Sequence, residues 1–189
     1  MSDDGGKPLN LAYLLLGSNI DPERNLKASV GKLGIFGRIL AVSSVWESWP
    51  AGDAGTAVRG NFLNAAVLLE TALSPQALRD TAIASIEMAL RRVRTGDKNG
   101  SRTIDVDLLL FNHETFRLGG RRIPSPDILE RPFVAIPLAE IAPDYVHPET
   151  SRTLSRIARS LDPRSAGMRL RKDVVLPPVP FPSLPRLPG

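Results

Sequence analysis

Two acidic residues interrupt an otherwise apolar segment near the middle of the chain. Asp105 and Asp107 stand in the run IDVDLLL at positions 104–110, although aspartate is disfavoured in buried strands because a charge is costly to bury. Side chains alternate along a strand, so both carboxylates project from one face, about 7 Å apart, and the apolar residues face the other way. One or two metal ions would fit between and above this acid pair.

The residues just before the acid pair are strongly basic. They are Arg91, Arg92, Arg94, Lys98 and Arg102. A carboxylate pair beside a cationic segment supplies the two halves of a site for a polyphosphate and its magnesium, which takes its other oxygens from water and phosphate. Two simpler interpretations remain open: the acids can pair with arginines or face solvent, and the basic run alone is compatible with a solvated helix end.

Composition restricts the kind of metal. The chain has no cysteine and two histidines, which excludes a disulfide framework, a thiolate zinc site and a histidine-rich site. Any metal must therefore bind oxygen ligands, which favours magnesium, calcium or manganese. The net charge of +4 and the pI near 9.8 favour an anionic partner such as a nucleotide, a nucleic acid or a phosphate metabolite.

The apolar periodicity predicts elements in the order β-α-β-β-α-β. They are a strand at 11–16, a helix at 21–36, strands at 39–46 and 61–71, a helix at 74–93 and a strand at 103–111. This order is typical of a ferredoxin-like α+β core with an antiparallel sheet and helices packed on it. C-terminal additions follow, with short helices at 133–141 and 154–161 and an edge strand at 168–175.

One domain accounts for most of the 189 residues. We expect a flexible N-terminus at 1–8, a single domain at 9–176 and a proline-rich tail at 177–189 that is extended or disordered. The start of the chain lacks a secretory signal, and no apolar run approaches the ~20 residues of a membrane span. We expect a cytoplasmic protein with no membrane partner, and a monomer.

A glycine-bearing turn, Gly17-Ser18-Asn19, follows the first strand. Its backbone N–H groups could cradle an anion, but neither G-x-x-x-x-G-K-[ST] nor G-x-G-x-x-G is present. Ser18 and Asn19 are more typical of a turn and a helix cap than of a ligand. Four aromatic residues, each taken alone, are more typical of the core than of a binding site: Trp46, Trp49, Phe62 and Phe133.

Four short segments are informative together. They are LGSN at 16–19, FLNAA at 62–66, RTIDVDL at 102–108 and RPFVAIPLAEIAP at 131–143. Their order and spacing, over roughly residues 9–161, resemble the 6-hydroxymethyl-7,8-dihydropterin pyrophosphokinase family of folate biosynthesis. Four motifs in register are far more specific than any one of them.

The resemblance implies two magnesium ions, held by Asp105 and Asp107, that bridge the phosphates of ATP. The pterin hydroxymethyl oxygen would attack the β-phosphorus and AMP would leave. The implied catalytic residues are Arg92, Arg102, Asp105 and Asp107. The residues implied to bind ATP are Glu87, Arg92, Arg94, Lys98, Arg102, Ile104, Arg121, Ser125 and Arg131.

The same resemblance implies a pterin pocket with an aromatic sandwich and a polar residue that reads the ring edge. The implied pterin contacts are Ser48, Pro50, Ala51, Phe62, Asn64, Asp105 and Phe133. Two glycine-bearing loops, at 51–60 and 95–101, resemble lids that close over both substrates.

The chain departs from the family pattern at three positions. One is Ser101, because Gly100-Ser101-Arg102 stands where glycine-proline-arginine leads to the acid pair. Ser125 stands where a histidine near the ATP phosphates is usual, and Asn99 stands where an aromatic residue is common. Arg121 or Arg122 could supply the missing phosphate contact; otherwise turnover should be slower or ATP binding weaker. These departures leave open a paralogue with altered or lost catalysis that binds a pterin or a nucleotide.

A nucleic-acid partner is not expected. An RNA-binding module on this topology would need aromatic residues of the R/K-G-F-x-F type on its central strands, and the sequence has none.

Overall fold

The computed structural model describes residues 9–50, 60–92 and 101–177. The strands are β1 (Asn10–Ser18), β2 (Arg38–Val42), β3 (Trp46–Ser48), β4 (Phe62–Thr71), β5 (Asp105–Phe111), β6 (Phe116–Leu118), β7 (Arg121–Ile123) and β8 (Arg169–Leu170). The helices are α1 (Pro22–Leu33), α2 (Pro75–Ala77), α3 (Ala84–Ala89), α4 (Asp127–Glu130), α5 (Pro132–Ile141) and α6 (Leu154–Arg159). A π-helical segment, Leu78–Ile83, joins α2 to α3, and a 3-10 turn spans Pro163–Ala166.

The main sheet has the order β5-β1-β4-β3-β8, and β2 also pairs with β4. Each of its strand pairs is antiparallel. β6 and β7 form a separate two-stranded hairpin. The predicted α+β class with an antiparallel sheet and helices packed on it is confirmed.

The sheet is covered on both faces, which explains the long apolar run of β1. Leu14 and Leu16 belong to one buried cluster with residues of α1 and the helix at 75–89. Tyr13 and Leu15 point to the other face and pack with residues of α5 and α6. A strand buried on both faces cannot show the polar alternation of a half-exposed strand, so its apolar residues are continuous.

The strand predicted at 39–46 is interrupted in the structure. Ser43 N–H donates to the Ala66 carbonyl at 2.9 Å, and Ser43 Oγ accepts the Ala66 N–H at 2.8 Å. The Ser44 N–H donates instead to the Glu140 carboxylate, at 2.8 Å. A serine side chain therefore replaces the backbone acceptor in the ladder, and β2 and β3 are separate strands.

The helix predicted at 74–93 is broken into the α2, π and α3 segments and ends at Ala89. Its predicted apolar stripe is nonetheless buried, including Leu78, Ala82, Ile83 and Ile86. Ser74 caps its N-terminus, where Oγ accepts the Ala77 N–H at 3.2 Å.

The C-terminal additions lie where the sequence predicts them, although the edge strand is much shorter than the predicted range 168–175. β8 extends the sheet beyond β3. Residues 1–8 and 178–189, for which we expect flexible or extended chain, lie outside the described residues. Within the described ranges, no helix is long and apolar enough to cross a membrane.

Candidate active site

The site is built on a row of residues that crosses three strands. Gly17 of β1 is paired with Asp105 of β5 on one side and with Asn64 of β4 on the other. Directly opposed residues on neighbouring strands project from the same face of a sheet. A Cβ atom added to Gly17 would lie 3.4 Å from Asn64 Oδ1. The glycine therefore leaves open space between the amide and the carboxylate.

The Asp105 carboxylate is held by two arginines. One of its oxygens accepts from Arg92 and the other accepts from Arg102. Arg92 also bonds Glu87, whose carboxylate additionally accepts the Val106 N–H at 3.4 Å. The Asp105 side chain is only 13% exposed. A buried negative charge is tolerated there because the two arginines compensate it.

The Asp107 carboxylate is paired with a third arginine, Arg121 of β7. Burial raises the pKa of the Asp107 carboxyl above its usual range, and the neighbouring charge of Asp105 raises it further, against the opposing effect of Arg121. Arg122 does not take part: it donates to both oxygens of Glu149, at 2.8 and 2.9 Å. Of the two arginines considered from the sequence, Arg121 is the one at the acid pair.

The turn after β1 positions the segment that leads to the acid pair. Ser18 Oγ donates to the Thr103 carbonyl at 2.5 Å, and Asn19 Oδ1 accepts the Arg102 N–H at 2.7 Å. The Arg102 carbonyl also accepts the Asn19 N–H at 3.1 Å. The side chains of Ser18 and Asn19 thus form hydrogen bonds with the backbone at 102–103. These bonds fix the segment so that the Arg102 side chain lies beside Asp105.

Two cavities meet at the acid pair, and Asp105 and Asp107 line both. The first has a volume of about 300 Å³, and we call it the basic cavity. Its polar lining residues besides the acid pair are Arg79, Asp80, Glu87, Arg92 and Arg121. The second, which we call the aromatic cavity, has a volume of about 160 Å³. Besides the acid pair, it is lined by Leu15, Gly17, Ser48, Trp49, Phe62, Asn64, Arg102, Asp127 and Phe133.

The two cavities differ in chemistry. The basic cavity, named for Arg79, Arg92 and Arg121, offers three guanidinium groups suited to phosphate oxygens, beside four carboxylates. The aromatic cavity offers the rings of Phe62 and Phe133 and the amide of Asn64, which suit a flat heterocycle with polar edges. The Arg102 guanidinium lies 5.5 Å from the Phe62 ring centroid, so this arginine connects the aromatic wall with the acid pair.

Most of the predicted site residues that the structure describes are brought together in these cavities. Four of them line neither cavity: Pro50, Ile104, Ser125 and Arg131. The Ile104 side chain is fully buried in the apolar core, so the backbone is the part of this residue able to contact a ligand. Ser125 N–H donates to the Leu109 carbonyl at 2.9 Å, and Arg131 lies 3.8 Å from the Asp127 carboxylate. Their roles stay predictions.

Three further predicted residues, Ala51, Arg94 and Lys98, lie outside the described residues, as do Asn99 and almost all of the two predicted lids. Among the polar and aromatic residues that line the cavities, four were not predicted as site residues from the sequence: Arg79, Asp80, Trp49 and Asp127. Trp49 adjoins Ser48, which was one available signal. The general expectation of a core position is wrong for Trp49, which is 39% exposed.

An antiparallel α+β fold in which an acid pair joins a basic cavity to an aromatic one suits a phosphotransferase that acts on a flat acceptor. The model of the family described as 7,8-dihydro-6-hydroxymethylpterin-pyrophosphokinase (HPPK) matches residues 13–143, and the chain belongs to this family.

Curated relatives agree with this assignment. A Bacillus subtilis protein is 39% identical over 145 residues, which are 75% of this chain and 84% of that protein. A Synechocystis protein is 34% identical over 152 residues, which are 80% of this chain and 76% of that protein. Both carry the name 2-amino-4-hydroxy-6-hydroxymethyldihydropteridine pyrophosphokinase.

The fold of this chain also matches that of proteins with solved structures. A crystal structure of wild-type Plasmodium falciparum HPPK-DHPS with pterin and p-hydroxybenzoate has a TM-score of 0.62 and 15% sequence identity. The match covers 84% of this chain and 44% of that longer chain. At this identity the likeness concerns the fold.

Proposed function

We propose that this protein transfers the β,γ-pyrophosphoryl group of ATP to the hydroxymethyl oxygen of 6-hydroxymethyl-7,8-dihydropterin, a step of folate biosynthesis. The observation that carries this proposal is that Asp105 and Asp107 line both cavities. A phosphate chain in the basic cavity and a heterocycle in the aromatic cavity would therefore meet at the acid pair. Membership of the pyrophosphokinase family supports the same reaction.

ATP would bind in the basic cavity. Arg92 and Arg121 line it and are already within bonding distance of the acid pair, so they can exchange carboxylate oxygens for phosphate oxygens through small movements. Glu87 anchors Arg92 from behind through an ion pair. Arg102 approaches from the side of the aromatic cavity and would face the phosphate that is transferred.

The donor set fits magnesium, of which two ions are expected with ATP. Among the described residues, no group of three or more His, Asp or Glu side chains could hold a metal ion. Magnesium commonly binds through one or two carboxylates and completes its shell with water and substrate phosphate, so Asp105 and Asp107 suffice. When bound, the ions would neutralise the phosphate charge and align the reacting groups.

The pterin would occupy the aromatic cavity between Phe62 and Phe133. Asn64 Nδ2 donates to Ser48 Oγ at 2.9 Å, which orients the amide and directs its oxygen toward Gly17, where a ring edge could approach. Held in this way, the hydroxymethyl oxygen would attack the β-phosphorus. A new O–P bond forms with loss of the hydroxyl proton, the bond from this phosphorus to the α,β-bridging oxygen breaks, and AMP leaves.

We also infer that the core is ferredoxin-like. The order β5-β1-β4 with β2 and β3 on the outer side of β4 supports this, if β2 and β3 are counted as one interrupted strand. A paralogue that binds a pterin or a nucleotide without turnover is the alternative. The intact acid pair and its arginines argue against it.

Substitution of the acid pair tests this assignment. Asp105→Asn and Asp107→Asn should each reduce magnesium-dependent AMP formation at least ~10³-fold, because transition-state charge is no longer neutralised. Asp144→Asn is a matched control, since Asp144 is exposed and lines neither cavity. Thermal unfolding of both variants checks that the loss of activity does not come from loss of the fold. Full activity in either acid-pair variant would contradict the metal assignment.

A further inference from the structure

Trp49 borders the aromatic cavity, although the resemblance implies its neighbours Ser48 and Pro50 as pterin contacts and not Trp49 itself. It directly follows the buried Ser48 at the end of β3 and lines the cavity together with Phe62, Asn64 and Phe133. A large aromatic side chain at the edge of a cavity offers a flat apolar surface to a ligand at low cost in conformational entropy.

Trp49 is held by residues near the C-terminus of the fold. We call residues 163–171 the brace. The backbone N–H of Trp49 donates to the Ala166 carbonyl at 2.9 Å. The backbone N–H of Arg171 donates to the Val45 carbonyl, also at 2.9 Å. Between these two contacts, β8 pairs with β3. The brace therefore fixes the strand end that carries Trp49.

Gly167 brings the brace directly against the indole. Its φ of 57° lies in the left-handed region, and a Cβ atom added there would lie 2.2 Å from Cε2 of Trp49 and 2.4 Å from Cδ2 and Nε1. A real Cβ cannot approach so closely. Glycine is thus required by both the backbone conformation and the packing, and any larger residue would displace the indole.

We propose that Trp49 is a further substrate-recognition residue: a third aromatic wall of the acceptor site, set in position by a brace outside the family-matched range 13–143. This inference rests on the proposed function, because it takes the aromatic cavity as the site of a flat bicyclic heterocycle. The wall adds contact area for the ring, and the brace limits the entropy lost when the ring binds.

Four variants of the full chain test the inference. Trp49→Ala removes the wall, Gly167→Ala pushes it out of position, and the double variant combines both. Gly120→Ala is the matched control, because Gly120 also has a positive φ, of 82°, but an added Cβ there would meet nothing within 4 Å. The measurements are the dissociation constant of 6-hydroxymethyl-7,8-dihydropterin by calorimetry, the KM values for pterin and ATP, and thermal unfolding.

Trp49→Ala should weaken pterin binding about threefold to tenfold, as expected for the loss of one aromatic contact, with the KM for ATP within about twofold. Gly167→Ala should weaken pterin binding in a similar way, and Gly120→Ala should not. The double variant should bind pterin no more weakly than Trp49→Ala, because the added methyl group then has no indole to displace.

Wild-type pterin affinity in Trp49→Ala would overturn the inference. The inference would also be overturned if Gly167→Ala weakened pterin binding by the same factor in the wild type and in Trp49→Ala, which lacks the indole. Trp49→Ala decides the matter even if Gly167→Ala does not fold. If the wild type neither binds the pterin nor forms AMP, the proposed function fails and this inference with it; if the wild type does both and the variants match it, this inference alone fails.

Discussion

Asn64 and Asp105 project from the same face of the sheet, on either side of Gly17, in one cross-strand row. Neighbouring strands lie ~4.8 Å apart, so the backbones of these two residues are separated by roughly 10 Å across a rigid sheet. The amide that would read the heterocycle and the carboxylate that would hold the metal are thus positioned by backbone hydrogen bonds. The space between them depends on the absence of a side chain at position 17.

Gly17→Val should fill this space. We expect the KM for pterin to rise at least about tenfold while the KM for ATP changes little, because the added methyl groups would enter the aromatic cavity. Gly17→Ala should have a smaller effect, since its Cβ would lie 3.4 Å from Asn64 Oδ1, a tight contact that a small shift relieves. Steady-state kinetics with both substrates measure this.

Gly31→Ala on α1, where an added Cβ meets nothing within 4 Å, controls for general effects of replacing glycine. Unchanged pterin kinetics in a folded Gly17→Val protein would show that the substrate does not lie between Asn64 and Asp105.

Arg121 and Arg122 form a natural matched pair. Arg121→Gln should raise the KM for ATP about tenfold or more, because it removes a charge-assisted bond at the basic cavity. Arg122→Gln should leave the KM within about twofold, since Arg122 forms an exposed ion pair with Glu149 instead. Kinetics at several magnesium concentrations measure both. Equal effects of the two substitutions would mean that proximity to Asp107 does not define the phosphate site.

His147 should make stability depend on pH. It is 1% exposed, and burial lowers the pKa of its imidazole below the ordinary value of 6.5, with a smaller opposing effect of Glu149. His147 therefore binds a proton more readily in the unfolded chain than in the folded one. This contribution to stability is present above pH 6.5 and is lost as the pH falls below it.

We expect the free energy of unfolding to fall between pH 7.5 and pH 5.5 by more in the wild type than in His147→Gln, as measured by urea denaturation. His113→Gln is the control, because His113 stacks on Tyr145 and is not the buried imidazole. The same dependence on pH in the wild type and in His147→Gln would assign the effect to other groups.

Local patterns predict the parts of this molecule that depend on local forces. The alternation at 104–108 predicts the shared face of Asp105 and Asp107, and the structure has Val106 buried between them. The element order was likewise predictable, because each element has its own apolar period. The hairpin of β6 and β7 was not predicted, since each strand has only three residues.

Contacts between residues distant in sequence escaped prediction. The pairing of Arg121 with Asp107 depends on where that hairpin folds back. The interruption at Ser43 depends on a hydrogen bond to Ala66 in another strand. Tryptophan is a residue type typical of the core, so the sequence alone favours a buried position for Trp49. Its position at a cavity depends on contact with Gly167, more than a hundred residues later in the chain. Such relationships arise from packing, which no local period encodes.

The identity of the nucleotide product tests the central claim most directly. The protein would be incubated with ATP, magnesium and 6-hydroxymethyl-7,8-dihydropterin, and every phosphorus-containing species would be followed by ³¹P NMR. Pyrophosphoryl transfer predicts AMP and pterin diphosphate in equal amounts, and neither product when the pterin is omitted or magnesium is chelated. ADP with a pterin monophosphate would indicate an ordinary kinase, and the absence of any product would indicate a binding protein; either result would contradict the account.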